Sequence, residues 1–358
     1  MSAHRSHIFR HSRFVALVGV VATIAIIGLW IYWQPRVASR TGVTVSTGVS
    51  PILSVWTTQE ECIVFSSSYG KLNAYRVDAK TDSVKRLEPE VRIALTHGVV
   101  PLGSGSIVAT SDNGCVEQIQ PSGSFRRRVP VHRSLVAAIC AGHREDVLIT
   151  CGDSSQKEIV EWEIKSLDLV TNRIVPVSHP FGLMPTAVCA SRDGRVLVVA
   201  GDGYVWCWKL SWPVGDAGNP LVGNQEVAWR VEGDEIGRPY RLSCDPSMSM
   251  CLVSCSGDRD WYGLRVLRLE DGKTLGTLPV ERDGVVIAEW GCGDLAVFAT
   301  RDAVRLWSVV RGELHTIATG HFYPNSLSVN AGRTRFMCGC QYGLFVSELM
   351  EPSRSGVR

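Results

Sequence analysis

A recurrence of one strand pattern constrains this chain more than any other feature. Short apolar or alternating runs, bounded by Gly, Asp, Asn or Ser, return throughout residues 41–350. Strands produce that pattern, because their side chains alternate between faces with a period of two. The clearest unit starts at Pro185: PTAVCAS, the turn Arg192-Asp193-Gly194, RVLVVA, then Asp202-Gly203 and YVWCWKL. Asp-Gly between such runs is a hairpin signal, since Gly accepts the positive φ that the turn demands. The residue before each third strand is taken as Gly70, Gly114, Lys157, Gly203, Gly263, Ala303 and Gly343, in steps of 44, 43, 46, 60, 40 and 40. All steps but one match the roughly 40–46 residues of a four-stranded blade. The long step holds an insertion, Trp212 to Gln225, rich in Gly, Pro and Asn. The expected fold is all-β, a seven-bladed β-propeller.

Fourth strands read as Val84–Leu87, Phe125–Val129, Arg173–Val177, Val227–Val231, Lys273–Leu278 and Glu313–Ile317. The seventh unit runs out near Met350 before a fourth strand can form. Val43-Thr44-Val45 is the expected substitute. It would pair the two ends of the chain and leave no long open edge.

Ahead of the repeats, Phe14 to Trp33 is 20 residues without a charge. As a helix it would span about 30 Å, the hydrocarbon thickness of a bilayer. Trp30, Tyr32 and Trp33 stand at its end, where aromatic rings favour the lipid boundary, and Pro35 stops it. A cleaved signal peptide would have a shorter apolar region and a small-x-small site; bulky residues close this one. The expectation is an uncleaved single-pass anchor. The divisions are a basic tail (1–13), a transmembrane helix (14–33), a linker (34–40), the propeller (41–350) and a C-terminal tail (351–358). Residues 1–59 hold five Arg and no acid, leaving 32 basic and 35 acidic groups for the rest. Arg5, Arg10 and Arg13 precede the anchor; Arg36 and Arg40 follow it. Positive-inside logic puts the N-terminus in the cytoplasm and the propeller outside the cell membrane.

The sixth unit, RDAVRLWSVVRGELHTIATGH, resembles the WD-repeat family, with Trp307-Ser308 where Trp-Asp would stand and Gly320-His321 as the Gly-His. Asp202 and Trp208 match in the fourth unit, and Trp162-Glu163 is a near match in the third. Tyr75 and Ile119 replace the Trp of the first two units, and the fifth and seventh lack the aromatic. The resemblance implies structural roles within blades for Asp202, Trp208, Trp162, Trp307 and His321. It implies the same for His97, His132 and His179, each ahead of a first strand.

No His pair has zinc spacing, and neither a G-x-S-x-G elbow, a phosphate loop nor a dinucleotide fingerprint occurs. The twelve Cys lie largely inside apolar strands, which favours packing over disulfides or metal. Phe125-Arg126-Arg127-Arg128 reads as a solvated outer strand, with an anionic partner as the rival reading. Trp212, Trp229, Trp261 and Tyr262 flank the loops of units four and five and form the candidate partner surface. With a net charge of +2, nucleic acid is not expected as a partner. The expectation is a membrane-anchored scaffold for an unidentified protein, not an enzyme, and without a cofactor. The rival is a propeller enzyme or cofactor binder resembling quinoproteins or lactonases, which would need three or more Asp, Glu or His converging on the central channel.

Overall fold

The computed structural model describes residues 36–37, 42–45 and most of 51–349. The longest stretches outside the description are 1–35, 46–50, 87–97, 155–160, 178–183, 212–223, 257–261, 281–286 and 350–358. The expected transmembrane helix, the C-terminal tail and most of the insertion lie in them.

Seven antiparallel sheets form seven blades. Blade 1 takes Pro51–Trp56, Glu61–Ser68, Lys71–Asp78 and Ser83–Arg86, and blade 2 Val99–Pro101, Ile107–Thr110, Cys115–Ile119 and Phe125–Pro130. Blade 3 takes Val136–Ala141, Val147–Asp153, Trp162–Asp168 and Arg173–Pro176, and blade 4 Pro185–Ala190, Val196–Gly201, Tyr204–Ser211 and Asn224–Val231. Blade 5 follows with Arg238–Cys244, Met250–Ser256, Tyr262–Arg268 and Thr274–Val280. Blade 6 has Ile287–Trp290, Leu295–Ala299, Ala303–Ser308 and Glu313–Thr319; blade 7 has Ser326–Val329, Arg335–Cys340 and Gly343–Glu348. Each first strand packs on the first strand of the next blade, and that of blade 7 packs back on that of blade 1. The seven first strands therefore surround one axis.

One backbone bond recurs in every blade: the residue just after the first strand donates its N–H to a carbonyl at or beside the start of the second. The pairs are Thr57–Glu61, Leu102–Ser106, Gly142–Val147, Ser191–Val196, Asp245–Met250, Gly291–Leu295 and Asn330–Arg335, at 2.7–3.0 Å. The repeat seen in the sequence is thus a repeat of turn chemistry. Gly114 (φ 76°) and Gly203 (φ 86°) occupy the second-to-third turns in the left-handed region, as Asp-Gly spacing predicts for the latter. A Cβ on Gly114 would also lie 2.2 Å from the His132 carbonyl oxygen, so only Gly fits.

Gly42–Val45 supplies the missing outer strand of blade 7. Val43 faces Val346, Thr44 faces Phe345 and Val45 faces Leu344, antiparallel. Trp56 of blade 1 adds an Nε1–H bond to the Ser328 carbonyl of blade 7 at 3.1 Å. A second strand was not foreseen: Arg36–Val37, inside the expected linker, adds a fifth strand to blade 6 beside Ala318 and Thr319. Two residues carry no readable period, so pattern alone misses them.

The core is a set of seams. Among the described residues, six larger apolar clusters each span two neighbouring blades, such as Leu252, Leu264 and Trp290 between blades 5 and 6. Middle strands are covered on both faces; Leu295–Ala299 is buried throughout. Outer strands alternate with solvent, as in Thr274–Val280. Antiparallel order puts the second-to-third turns and blade-to-blade connections on one side, here the connecting face. The first-to-second and third-to-fourth turns lie on the other, the turn face.

Closure is testable by hydrogen exchange. The bonded amides among Gly42–Val45 should exchange at least about tenfold more slowly than in an unstructured chain. Free-chain rates there, with 335–347 still protected, would sink the closure.

Candidate functional site

Polar side chains meet near the axis at the first strands of blades 5, 6 and 7. Arg241 Nη2 lies 3.0 Å from Glu289 Oε1 and donates to the Leu327 carbonyl at 2.9 Å. Ser243 Oγ donates to Glu289 Oε2 at 2.7 Å and accepts the Trp290 N–H at 3.0 Å. Arg241 and Glu289 keep 30% and 24% of their side-chain exposure, so the pair is half-desolvated. Glu289 is the one carboxylate on the described first strands. Both its oxygens are engaged by blade 5, and Arg241 carries the link on to blade 7. Among the described residues, no group of three His, Cys, Asp or Glu is placed to hold a metal ion. Sequence reasoning missed this network because its members sit in separate units. The available signal was a charge inside otherwise apolar first strands, IAEW and RPYRLSC.

His132 is buried ahead of the first strand of blade 3. Its Nε2 is 2.9 Å from Thr150 Oγ1, which donates onward to the Lys165 carbonyl at 3.3 Å. Burial, then the nearby Lys165 charge, pushes the imidazole down to about 3. A bond within the blade is the role that the WD-repeat resemblance implied for His132. His97, His179, His321 and Asp202, to which the resemblance also gives structural roles, lie outside the described residues.

Trp208 and Trp307 each stand fifth in their third strands, facing Leu197 and Ala296. Trp307 is buried between blades 5 and 6, and Trp208 packs half-buried between blades 3 and 4. Trp162 is buried but stands first in its strand, facing Asp153. It is therefore out of step with the other two, because the third strand of blade 3 starts five residues after Lys157. Trp229 corrects a second expectation. It is buried between blades 4 and 5, donates Nε1–H to the Leu269 carbonyl at 2.8 Å, and offers nothing to a partner. Gly272 (φ 75°) makes room for it, since a Cβ there would meet the indole at 2.8 Å. Tyr262 is half-buried against the seam between blades 5 and 6. Trp212 and Trp261 lie outside the described residues.

The arginine run is largely consumed by structure. Arg127 bonds Gln118 at 3.0 Å, Asn172 at 2.9 Å and the Leu169 carbonyl, joining blades 2 and 3. Arg128 pairs with Glu117 at 2.6 Å, where burial pushes the carboxyl up and the arginine opposes the shift. Arg126 is exposed. All twelve Cys are free thiols. Cys244 faces Cys251 across blade 5, and Cys189 of blade 4 reaches Cys244. Cys338 and Cys340 share a strand face with sulfurs 3.8 Å apart. Burial pushes Cys207 up to about 11 and Cys255 to about 12, so they pack as neutral groups at neutral pH.

The exposed large apolar groups of blades 3 to 6 include Val170, Val227, Leu275, Val310 and Leu314. Val170 and Val310 occupy equivalent third-to-fourth turns at 71% and 77% exposure. Leu275 and Leu314 follow those turns on the outer strands of blades 5 and 6, and Val227 lies on that of blade 4.

Comparison of the chain with protein-family models gives no match, and comparison with curated proteins gives none either.

Two measurements follow from these side chains. A cycle of Arg241→Met and Glu289→Gln in chemical unfolding should give a coupling of about 1–2 kcal/mol, between exposed and buried pairs. Zero coupling would remove the pair from the account of the axis. For His132, the unfolded imidazole gains a proton near pH 6.5 and the folded one only near 3. Stability should therefore be level above that window and fall as pH drops through it, by on the order of 5 kcal/mol at full extent. His132→Gln should flatten that part of the profile; an unchanged slope assigns it to other groups.

Proposed function

We propose that this chain is a membrane-anchored, WD-repeat-like scaffold whose propeller binds a protein partner, with the N-terminus cytoplasmic and the propeller outside. The observation that carries the binding role is the set of exposed apolar side chains on the turn-face side of blades 3 to 6. Valines at two equivalent turn tips are costly to leave in water, and apolar patches on a rigid framework mark interaction sites. Leu275 and Leu314 stand exposed on the outer strands of blades 5 and 6, on the rim. The uncharged run 14–33 supports the anchor, and the Trp-Ser and Gly-His of blade 6 support the likeness to WD repeats. Holding the propeller at a bilayer would raise its effective concentration toward membrane partners. Binding by such a patch needs no chemistry beyond shape and desolvation.

Photocrosslinking tests the reading. The full chain with p-benzoylphenylalanine at Val310 should give a discrete protein adduct in native membranes. Leu275→Asp together with Leu314→Asp should reduce that adduct by about tenfold or more, as loss of interface anchors does. Absence of any protein adduct from Val310 and from Val170, with native circular dichroism, overturns the proposal.

A further inference from the structure

The first-to-second turn of blade 5 brings two cysteines face to face. Cys244 ends the first strand, Cys251 stands second in the next, and the two are direct antiparallel partners. The Asp245 N–H bonds the Met250 carbonyl at 3.0 Å, which makes Asp245 and Met250 a hydrogen-bonded pair. Antiparallel pairs alternate in type, so Cys244 and Cys251 form a non-hydrogen-bonded pair, with Cα atoms about 4.5 Å apart and side chains on one face. That spacing lies inside the range of about 4.4–6.8 Å that a disulfide spans. The turn holds the register. The Asp245 carboxylate accepts the N–H groups of Ser247 at 3.2 Å, Ser249 at 2.8 Å and Met250 at 2.6 Å, and Met248 takes a left-handed φ of 53°.

Among the described residues, no other cysteine faces a cysteine across a ladder: Cys140 faces Ile149, Cys189 faces Val198 and Cys255 faces Gly263. Cys338 and Cys340 share one strand, two rises or about 6.6 Å apart at Cα, at the far end of the disulfide range. Cys189 packs on the same seam and reaches Cys244 from blade 4, but it belongs to another sheet and no ladder sets its distance. Cys244 and Cys251 are both buried in that seam. An oxidant therefore meets them while the hairpin is forming, before blade 4 covers it, and a reductant is kept out afterwards.

We propose that Cys244 and Cys251 close a disulfide across blade 5 as the chain folds, with an external disulfide, RSSR, as the oxidant. One thiol, deprotonated, attacks RSSR and releases one thiolate; the second attacks the mixed disulfide and releases the other. The cysteine pair gives up two protons and two electrons, and RSSR becomes two RSH. The new bond staples the turn-face end of blade 5. Oxidants of this class prevail outside the cytoplasm, so the bond in the native protein rests on the outside placement in the proposed function.

The test uses the full chain, synthesised cell-free into phosphatidylcholine vesicles with oxidised and reduced glutathione. Free thiols are blocked with N-ethylmaleimide after denaturation, and trypsin releases the peptide 242–258, which holds Cys244, Cys251 and Cys255. The form with one label, on Cys255, should exceed the form with three by at least about tenfold, as a structural disulfide does against glutathione. Cyanogen bromide cuts after Met248 and Met250, and the two halves should stay joined until reduced. Cys255→Ser should keep the loop, and Cys251→Ser should lose it. Three labels on folded, protease-resistant chain overturn the pair, and so does a Cys189–Cys244 link. A loop formed in vesicles, with three labels on acid-quenched chain from native membranes, upholds the pair and overturns the outside placement alone.

Discussion

Each sheet of this protein depends on its neighbours to cover it. A four-stranded sheet has two apolar faces and cannot bury either alone, so stability resides in the seams between blades. Trp290, Phe298 and Trp307 fill one seam; Phe322, Phe336 and Phe345 fill the next. A linear stack would leave two end sheets with one bare face each. Joining the stack head to tail removes both, and seven first strands around one axis achieve that.

Closure places a particular demand on the chain. Blade 7 is built from both ends, with Gly42–Val45 against Gly343–Glu348, so its outer strand cannot pair until the rest of the chain has been made. Arg36–Val37 extends the same logic by one blade. The closing segment is also the one that follows the uncharged run.

Much of this architecture was legible in the sequence, for a specific reason. Gly and Asp at hairpin turns punctuate apolar runs, and turns recur at a fixed spacing when every unit uses the same closing bond. All six outer strands fell within a few residues of their observed places, and a deficit of one strand pointed to Val43–Val45. The site was less legible. Strand alternation says that neighbouring residues point to opposite faces, but in a propeller both faces are covered, so Trp229 looked exposed and is buried. Loop lengths hide where a strand begins, which put Trp162 out of step. Arg241 and Glu289 are 48 residues apart and meet only because first strands converge on the axis.

The molecule is also polar in a functional sense. Its axis is occupied by a half-buried ion pair that ties three blades together, and its thiols, His132 and Glu117 are absorbed into packing. That leaves the two faces and the rim as the places where chemistry is still available. On the turn face Val170 of blade 3 and Val310 of blade 6 stand exposed at equivalent turn tips, and on the rim Leu275 and Leu314 stand exposed on outer strands. A repeat that buries both faces of every sheet confines its exposed apolar side chains to turn tips and outer strands, and those are the surfaces on which a partner of the proposed kind would be met.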